Sequence, residues 1–165
     1  MDRLILFRHG KAEAESASGD DFDRRLTARG MRECADMAGA LANLGMVPDR
    51  ALVSPAARAR QTWEAAEPAF PPAELRLEPG LYNAASGEIR QAADAAGEGC
   101  RTLIVVGHNP GLQELTVALL REGHAPPALV ARAQRQFPTA AIAVFLLDAA
   151  GRPAFDGLFF PERGA

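Results

Sequence analysis

The sequence predicts a three-layer α/β/α sandwich: a mostly parallel central sheet, helices on both faces, and an antiparallel edge strand. Three observations carry that expectation. Short apolar runs alternate with stretches of helical periodicity along most of the chain, the pattern of strand–helix–strand units. The runs at residues 4–7 and 103–106 contain no polar residue, as in strands buried on both faces. The last two runs, at 140–147 and 154–160, are joined too tightly for a parallel crossover, so they pair antiparallel.

Taken in order, residues 4–7 form the first strand, and the polar stretch 11–25, rich in Asp, Ser and Gly, is a loop. Thr27 is placed to cap the first helix. Met31, Cys34, Ala35, Ala38, Leu41 and Ala42 follow at helical spacing, and Gly45 with Pro48 stops the helix. Residues 51–53 are a second strand and 57–67 a second helix, broken by Pro68, Pro71 and Pro72. Residues 74–77 are a third strand, with Leu75 and Leu77 alternating against charge, and 88–96 a third helix. After the buried strand 102–106, Asn109 and Pro110 supply the cap and first position of a helix whose apolar side is Leu112, Leu115, Leu119 and Leu120. Residues 148–151 turn between the last two strands, and Leu158, Phe159 and Phe160 are either strand or an exposed apolar patch.

The chain of 165 residues, with 48% hydrophobic and 24% charged residues, suits one domain spanning residues 1–165 around one core. A net charge of -3, without a block of like charges, gives no electrostatic case for a nucleic acid or an anionic membrane as partner. No apolar run approaches the length of a bilayer span, and the N-terminus lacks the pattern of a secretory leader. Cys34 and Cys100 stand apart without metal-ligand spacing, as buried thiols of a reducing compartment do. A cytoplasmic protein is therefore expected.

Chemistry concentrates at three places. His9 stands just past the strand at 4–7, in Arg8-His9-Gly10, and His108 just past the strand at 103–106, in Gly107-His108-Asn109-Pro110. Arg58 falls in the first turn of the helix after the strand at 51–53. In an open α/β sheet the carboxyl ends of the strands form the ligand-binding edge. Singly, each residue has an ordinary explanation: a short common triplet, a turn histidine, a solvated helix charge. Together, each after its own strand, they describe a site for a small doubly charged oxyanion such as a phosphoryl group, which guanidinium groups match bidentately. The third histidine, His124, sits in a loop without a partner, and Trp63 is helix packing.

These motifs resemble the histidine phosphatase superfamily, the phosphoglycerate mutase-like group. The matching segments are residues 4–10 ending in Arg-His-Gly, Leu26-Thr27-Ala28-Arg29-Gly30, Ser54-Pro55-x-x-Arg58-Ala59-x-Gln61-Thr62, and Gly107-His108-Asn109-Pro110. The short chain and the segment Asp23-Arg24-Arg25-Leu26-Thr27 further resemble the small bacterial SixA-type phosphohistidine phosphatases. The resemblance implies a phosphatase that works without metal or other cofactor. His9 is then the nucleophile; Arg8, Arg58 and His108 join it in catalysis, and these three with Arg24 bind phosphate, Arg25 being the alternative to Arg24.

One departure stands out. Many members place an acid shortly after the third strand, where this chain has Asn83; Glu78 and Glu88 are nearby but fit the spacing less well. Asn cannot act as an acid, which suits a phosphoramidate such as phosphohistidine better than an alkyl ester. The expected partner is a phosphorylated protein, such as a histidine-phosphorylated carrier, or a small phosphate compound. Alternatives are a small-molecule phosphate ester phosphatase and a non-catalytic phosphate-binding module. His9 is expected to donate from its second ring nitrogen to a backbone carbonyl, that of Gly10, and the short chain suggests a shallow site without a lid.

Overall fold

A computed structural model describes residues 1–163. Its strands are β1 (Arg3–Arg8), β2 (Arg50–Val53), β3 (Glu74–Leu77), β4 (Thr102–Gly107), β5 (Ile142–Leu147) and β6 (Pro153–Phe159). Its helices are α1 (Ala28–Asn43), α2 (Ala57–Ala66), α3 (Ser86–Ala96), α4 (Gly111–Glu122) and α5 (Pro127–Arg135). The strands form one sheet in the order β3-β2-β4-β1-β5-β6. The first four strands are mutually parallel. The expected antiparallel pairing is a hairpin in which β5 runs against both β1 and β6.

Side-chain alternation along the central strands separates two cores. Leu4 and Leu6 of β1 join Leu52, Leu103 and Val105, and α3, α4 and α5 cover that face with Ile89, Leu112, Leu115 and Ala133. Ile5 and Phe7 join Ala51, Val53, Ile104 and Val106 under α1 and α2, which contribute Cys34, Met37, Leu41 and Trp63. Burying both faces explains why β1 and β4 are continuous apolar runs. The hydrophobic effect contributes roughly 1.5–3 kcal/mol for each such large side chain buried.

Several local expectations change. The buried stripe of α1 is Cys34, Met37, Ala38 and Leu41, while Met31 and Ala35 face outward. Thr27 does cap that helix, its hydroxyl accepting from Gly30 N at 3.0 Å. The leucines of β3 do not define a buried face, because this edge strand is exposed along its whole length. Helix α5 has no counterpart in the sequence reading, although Val130 and Ala133 at helical spacing pack on the core. Helix α4 starts at Gly111, after a cis Asn109–Pro110 peptide, so Pro110 rather than Asn109 takes the cap position; Asn109 Oδ1 still accepts from Gln113 N at 3.2 Å. Leu158 and Phe159 pack against opposite cores, so the end of β6 is strand rather than free patch. Trp63 is buried and stacks on Phe70.

Among the described residues no helix is long and apolar enough to cross a membrane.

Candidate active site

The sheet delivers three residues to one edge. His9 follows β1, Ser54 follows β2 and His108 follows β4, and these strands are neighbours in register, with Arg8 opposite Gly107 and Val53 opposite Val106. The ladder continues one step further, through His9 N to Gly107 O and Ser54 N to Val106 O, each at 3.0 Å. The histidine rings therefore meet, with centroids 5.2 Å apart.

His9 is buried, and its Nδ1 lies 2.8 Å from the carbonyl oxygen of Gly10. A carbonyl only accepts, so Nδ1 carries the proton and Nε2 keeps its lone pair. Burial, above all, pushes the His9 pKa down to about 3, with the charges of His108, Arg58 and Arg8 adding to the effect and the Gly10 carbonyl opposing it. The ring is neutral at physiological pH and holds a nucleophilic nitrogen free of protons. His108 Nε2 lies 2.7 Å from Ser54 Oγ, so it is held by a side chain. Burial first, then Arg58, lowers its pKa to about 4.

The two arginines flank the pair. Arg8 donates from Nη1 to Phe137 O at 2.8 Å, a carbonyl that also accepts from Asn109 Nδ2 at 3.0 Å. Arg58, buried in the first turn of α2, donates from Nη1 to Asp21 O at 2.8 Å and from Nη2 to Asp21 Oδ2 at 3.0 Å. Buried polar side-chain atoms normally have partners. Among the described residues six lack one, and three of these are Arg8 Nε, Arg58 Nε and His108 Nδ1. An unpartnered buried group costs about 1–3 kcal/mol. The side chains that carry three of them stand beside His9, whose ring lies 5.2 Å from that of His108 and feels the charges of Arg58 and Arg8, a set suited to a multivalent oxyanion.

Arg24 turns inward and Arg25 outward. Arg24 donates from Nε to Asp21 Oδ1 at 2.9 Å and from Nη1 to Glu13 O at 2.7 Å, so it reaches the site through Asp21. The side chain of Arg25 is exposed. Neither candidate carboxylate beyond β3 enters the site. Glu78 accepts from Gly80 N and Glu88 from Ala85 N, both closing local turns, and Asn83 is exposed at positive φ. His124 is exposed, in the turn after α4 where its N–H donates to Arg121 O.

Two residues absent from the sequence reading complete the rim. Asp21 accepts from Arg58, Arg24 and the Tyr82 hydroxyl, the last at 2.7 Å. Those contacts, Tyr82 foremost, hold its carboxyl well below the usual carboxylate range. The Tyr82 ring stands edge-on to His108 at 5.6 Å and to Phe22 at 5.1 Å. The turn carrying Asp21 and Phe22 contacts Tyr82 and Arg58 at this rim and stays exposed. An acidic triplet in Asp20-Asp21-Phe22-Asp23, beside a site built of arginines, was the available signal.

The remaining motif residues hold the loops. Thr62 Oγ1 accepts from Gly10 N at 3.0 Å, and Gln61 Oε1 accepts from Leu26 N at 2.7 Å. Gly30 presses its backbone on Lys11, where any Cβ would collide with the Lys11 carbonyl.

The family model for the histidine phosphatase superfamily (branch 1) matches residues 4–103. The chain belongs to the histidine phosphatase superfamily. This histidine phosphatase is 32% identical over 162 residues to phosphohistidine phosphatase SixA of Escherichia coli, covering 96% of this chain and 94% of that one. A crystal structure assigned as SixA from Agrobacterium tumefaciens superposes with a TM-score of 0.83 at 31% identity, over 97% of this chain and 98% of that chain. A structure of SixA complexed with tungstate superposes with a TM-score of 0.75 at 28% identity, over 94% and 95% of the two chains. The histidine phosphatase is accordingly a hydrolase with the phosphoglycerate mutase-like fold that the sequence predicts. The matched segment ends before His108, which the sheet brings back beside His9.

Proposed function

We propose that this histidine phosphatase, as a single domain over residues 1–165, hydrolyses phosphohistidine on a protein and does so through a phosphohistidine of its own at His9. The observation that carries the reading is the His9 tautomer: with Nδ1 bound to Gly10 O, Nε2 is an unprotonated nitrogen on a ring that neighbours His108 and feels the charges of Arg58 and Arg8. The likeness to SixA supports the substrate, and tungstate, which SixA binds, is a tetrahedral oxyanion of the kind this set suits.

In this mechanism His9 Nε2 attacks phosphorus in line with the bond that breaks. Arg8, Arg58 and His108 take the equatorial oxygens, whose charge grows in a loose transition state. Arg24 supports them from the rim. The guanidinium groups supply the charge neutralisation, so no metal takes part. Water then hydrolyses the His9 intermediate and releases phosphate. Asp21, the carboxylate that binds Arg58, Arg24 and Tyr82, is held ionised and so is not a proton donor, which favours a phosphoramidate over a simple alkyl phosphate ester. Two free buried thiols, Cys34 and Cys100, support a reducing compartment such as the cytoplasm.

The test is phosphate release from a histidine-phosphorylated carrier protein in the presence of EDTA, wild type beside His9→Ala. Turnover by the wild type alone, and faster than on an aryl phosphate, is expected. Turnover of small esters only would return the substrate to that class, inhibition by EDTA would remove the metal-free mechanism, and phosphate binding without any turnover would make the protein a binding module.

A further inference from the structure

We infer that Asp21 is a specificity residue that accepts a hydrogen bond from the protonated imidazole of the substrate's phosphohistidine, with Phe22 and Tyr82 receiving that ring. This rests on the phosphohistidine reading above and concerns the leaving group rather than the phosphoryl group.

In-line transfer puts the leaving group opposite the nucleophile. His9 lies at the buried floor of the site, so the leaving group points to the rim. The rim groups are Asp21, whose side chain is 50% exposed, Phe22, which is 36% exposed, and the partly buried Tyr82. Tyr82 spans the distance, with its ring against His108 and its hydroxyl on Asp21 Oδ2. A carboxylate bordered by two aromatic rings is an environment for a flat cation.

The carboxylate also has room for one more donor. Its two oxygens offer about four acceptor positions. Arg58 and Tyr82 occupy Oδ2 and Arg24 occupies one side of Oδ1, which leaves a position on Oδ1 at the exposed rim. Arg58 and Arg24 fix the carboxylate in place, so little side-chain freedom is lost when a ligand arrives.

The chemistry then balances without a separate acid. The substrate ring enters with its second nitrogen protonated and facing Asp21. The His9 Nε2 lone pair forms the new bond to phosphorus, while the electron pair of the breaking P–N bond stays on the substrate's nitrogen. The departing group is neutral imidazole, which keeps its N–H toward Asp21. No proton has to be supplied, consistent with the use of the Glu78 and Glu88 carboxylates in local turns. The same carboxylate repels substrates whose leaving group carries its own negative charge.

The experiment compares Asp21→Asn with wild type on two probes, phosphoimidazole and para-nitrophenyl phosphate, reading kcat/KM for each. Loss of one charge-assisted hydrogen bond predicts that the ratio of the two values falls about tenfold or more in Asp21→Asn. A structural disturbance of the loop would depress both probes together and leave the ratio where it was; that result, or an unchanged pair of values, overturns the inference while the phosphohistidine reading stands. Failure of the wild type to cleave phosphoimidazole, with the aryl ester still cleaved, overturns the substrate reading itself and the role of Asp21 with it.

Discussion

The hydroxyl of Thr62 accepts the backbone N–H of Gly10 at 3.0 Å, tying the loop that carries His9 to the second helix. The same hydroxyl donates to Arg58 O at 2.7 Å. One buried side chain therefore couples the backbone positions of the nucleophile and of its main arginine. Thr62→Val keeps the shape and leaves Gly10 N–H buried without a partner. The expected cost is about 1–3 kcal/mol of stability, with a lower kcat, read by urea denaturation and phosphate release. Unchanged stability would mean that the loop finds another acceptor.

Arg58 presents a planar fork of donors, two already bound to Asp21 and Nε unpartnered. Lysine carries the charge but not the fork. Arg58→Lys is expected to weaken inhibition by tungstate by about tenfold or more, since charge-assisted bonds to guanidinium contribute roughly 1.5–3 kcal/mol each. Full retention of tungstate affinity in Arg58→Lys would show that charge alone matters at this position.

Both buried histidines make the protein sensitive to acid. Their folded pKa values, about 3 for His9 and about 4 for His108, lie below the ordinary value of 6.5. Between those limits the unfolded chain binds more protons than the folded one, so stability is full above pH 6.5 and falls as the pH drops toward 3. His9 alone contributes a loss on the order of 2 kcal/mol by pH 5. Melting temperatures of His9→Asn and wild type, measured from pH 7 to pH 4, should therefore converge or cross as the pH falls. Parallel curves would indicate that the histidines titrate normally in the folded protein.

The parts of the site that follow strands were legible in the sequence, because a buried parallel strand announces itself by an uninterrupted apolar run. His9, His108 and Arg58 were placed by those runs. Arg24 was preferred to Arg25 on resemblance alone, since both lie in one polar loop and the burial of one over the other is a property of the fold. Asp21 and Tyr82 escaped for a related reason. Their contact joins positions far apart in the chain and belongs to no periodic element. Helix α5 escaped because it opens on the Pro126-Pro127 pair, which reads as a break, although the residues that follow are good helix formers. The exposure of Leu75 and Leu77 depended on β3 taking the sheet edge, an order that alternation within one strand does not encode.

Arg8 owes its place to a carbonyl that lies 129 residues further along the chain, at Phe137, where Asn109 also binds. Arg8 is thus held by the segment between α5 and β5, well beyond the stretch that carries the family's signature. Anyone grafting the first hundred residues onto another scaffold would transplant the nucleophile and one arginine, but would leave the other arginine swinging free.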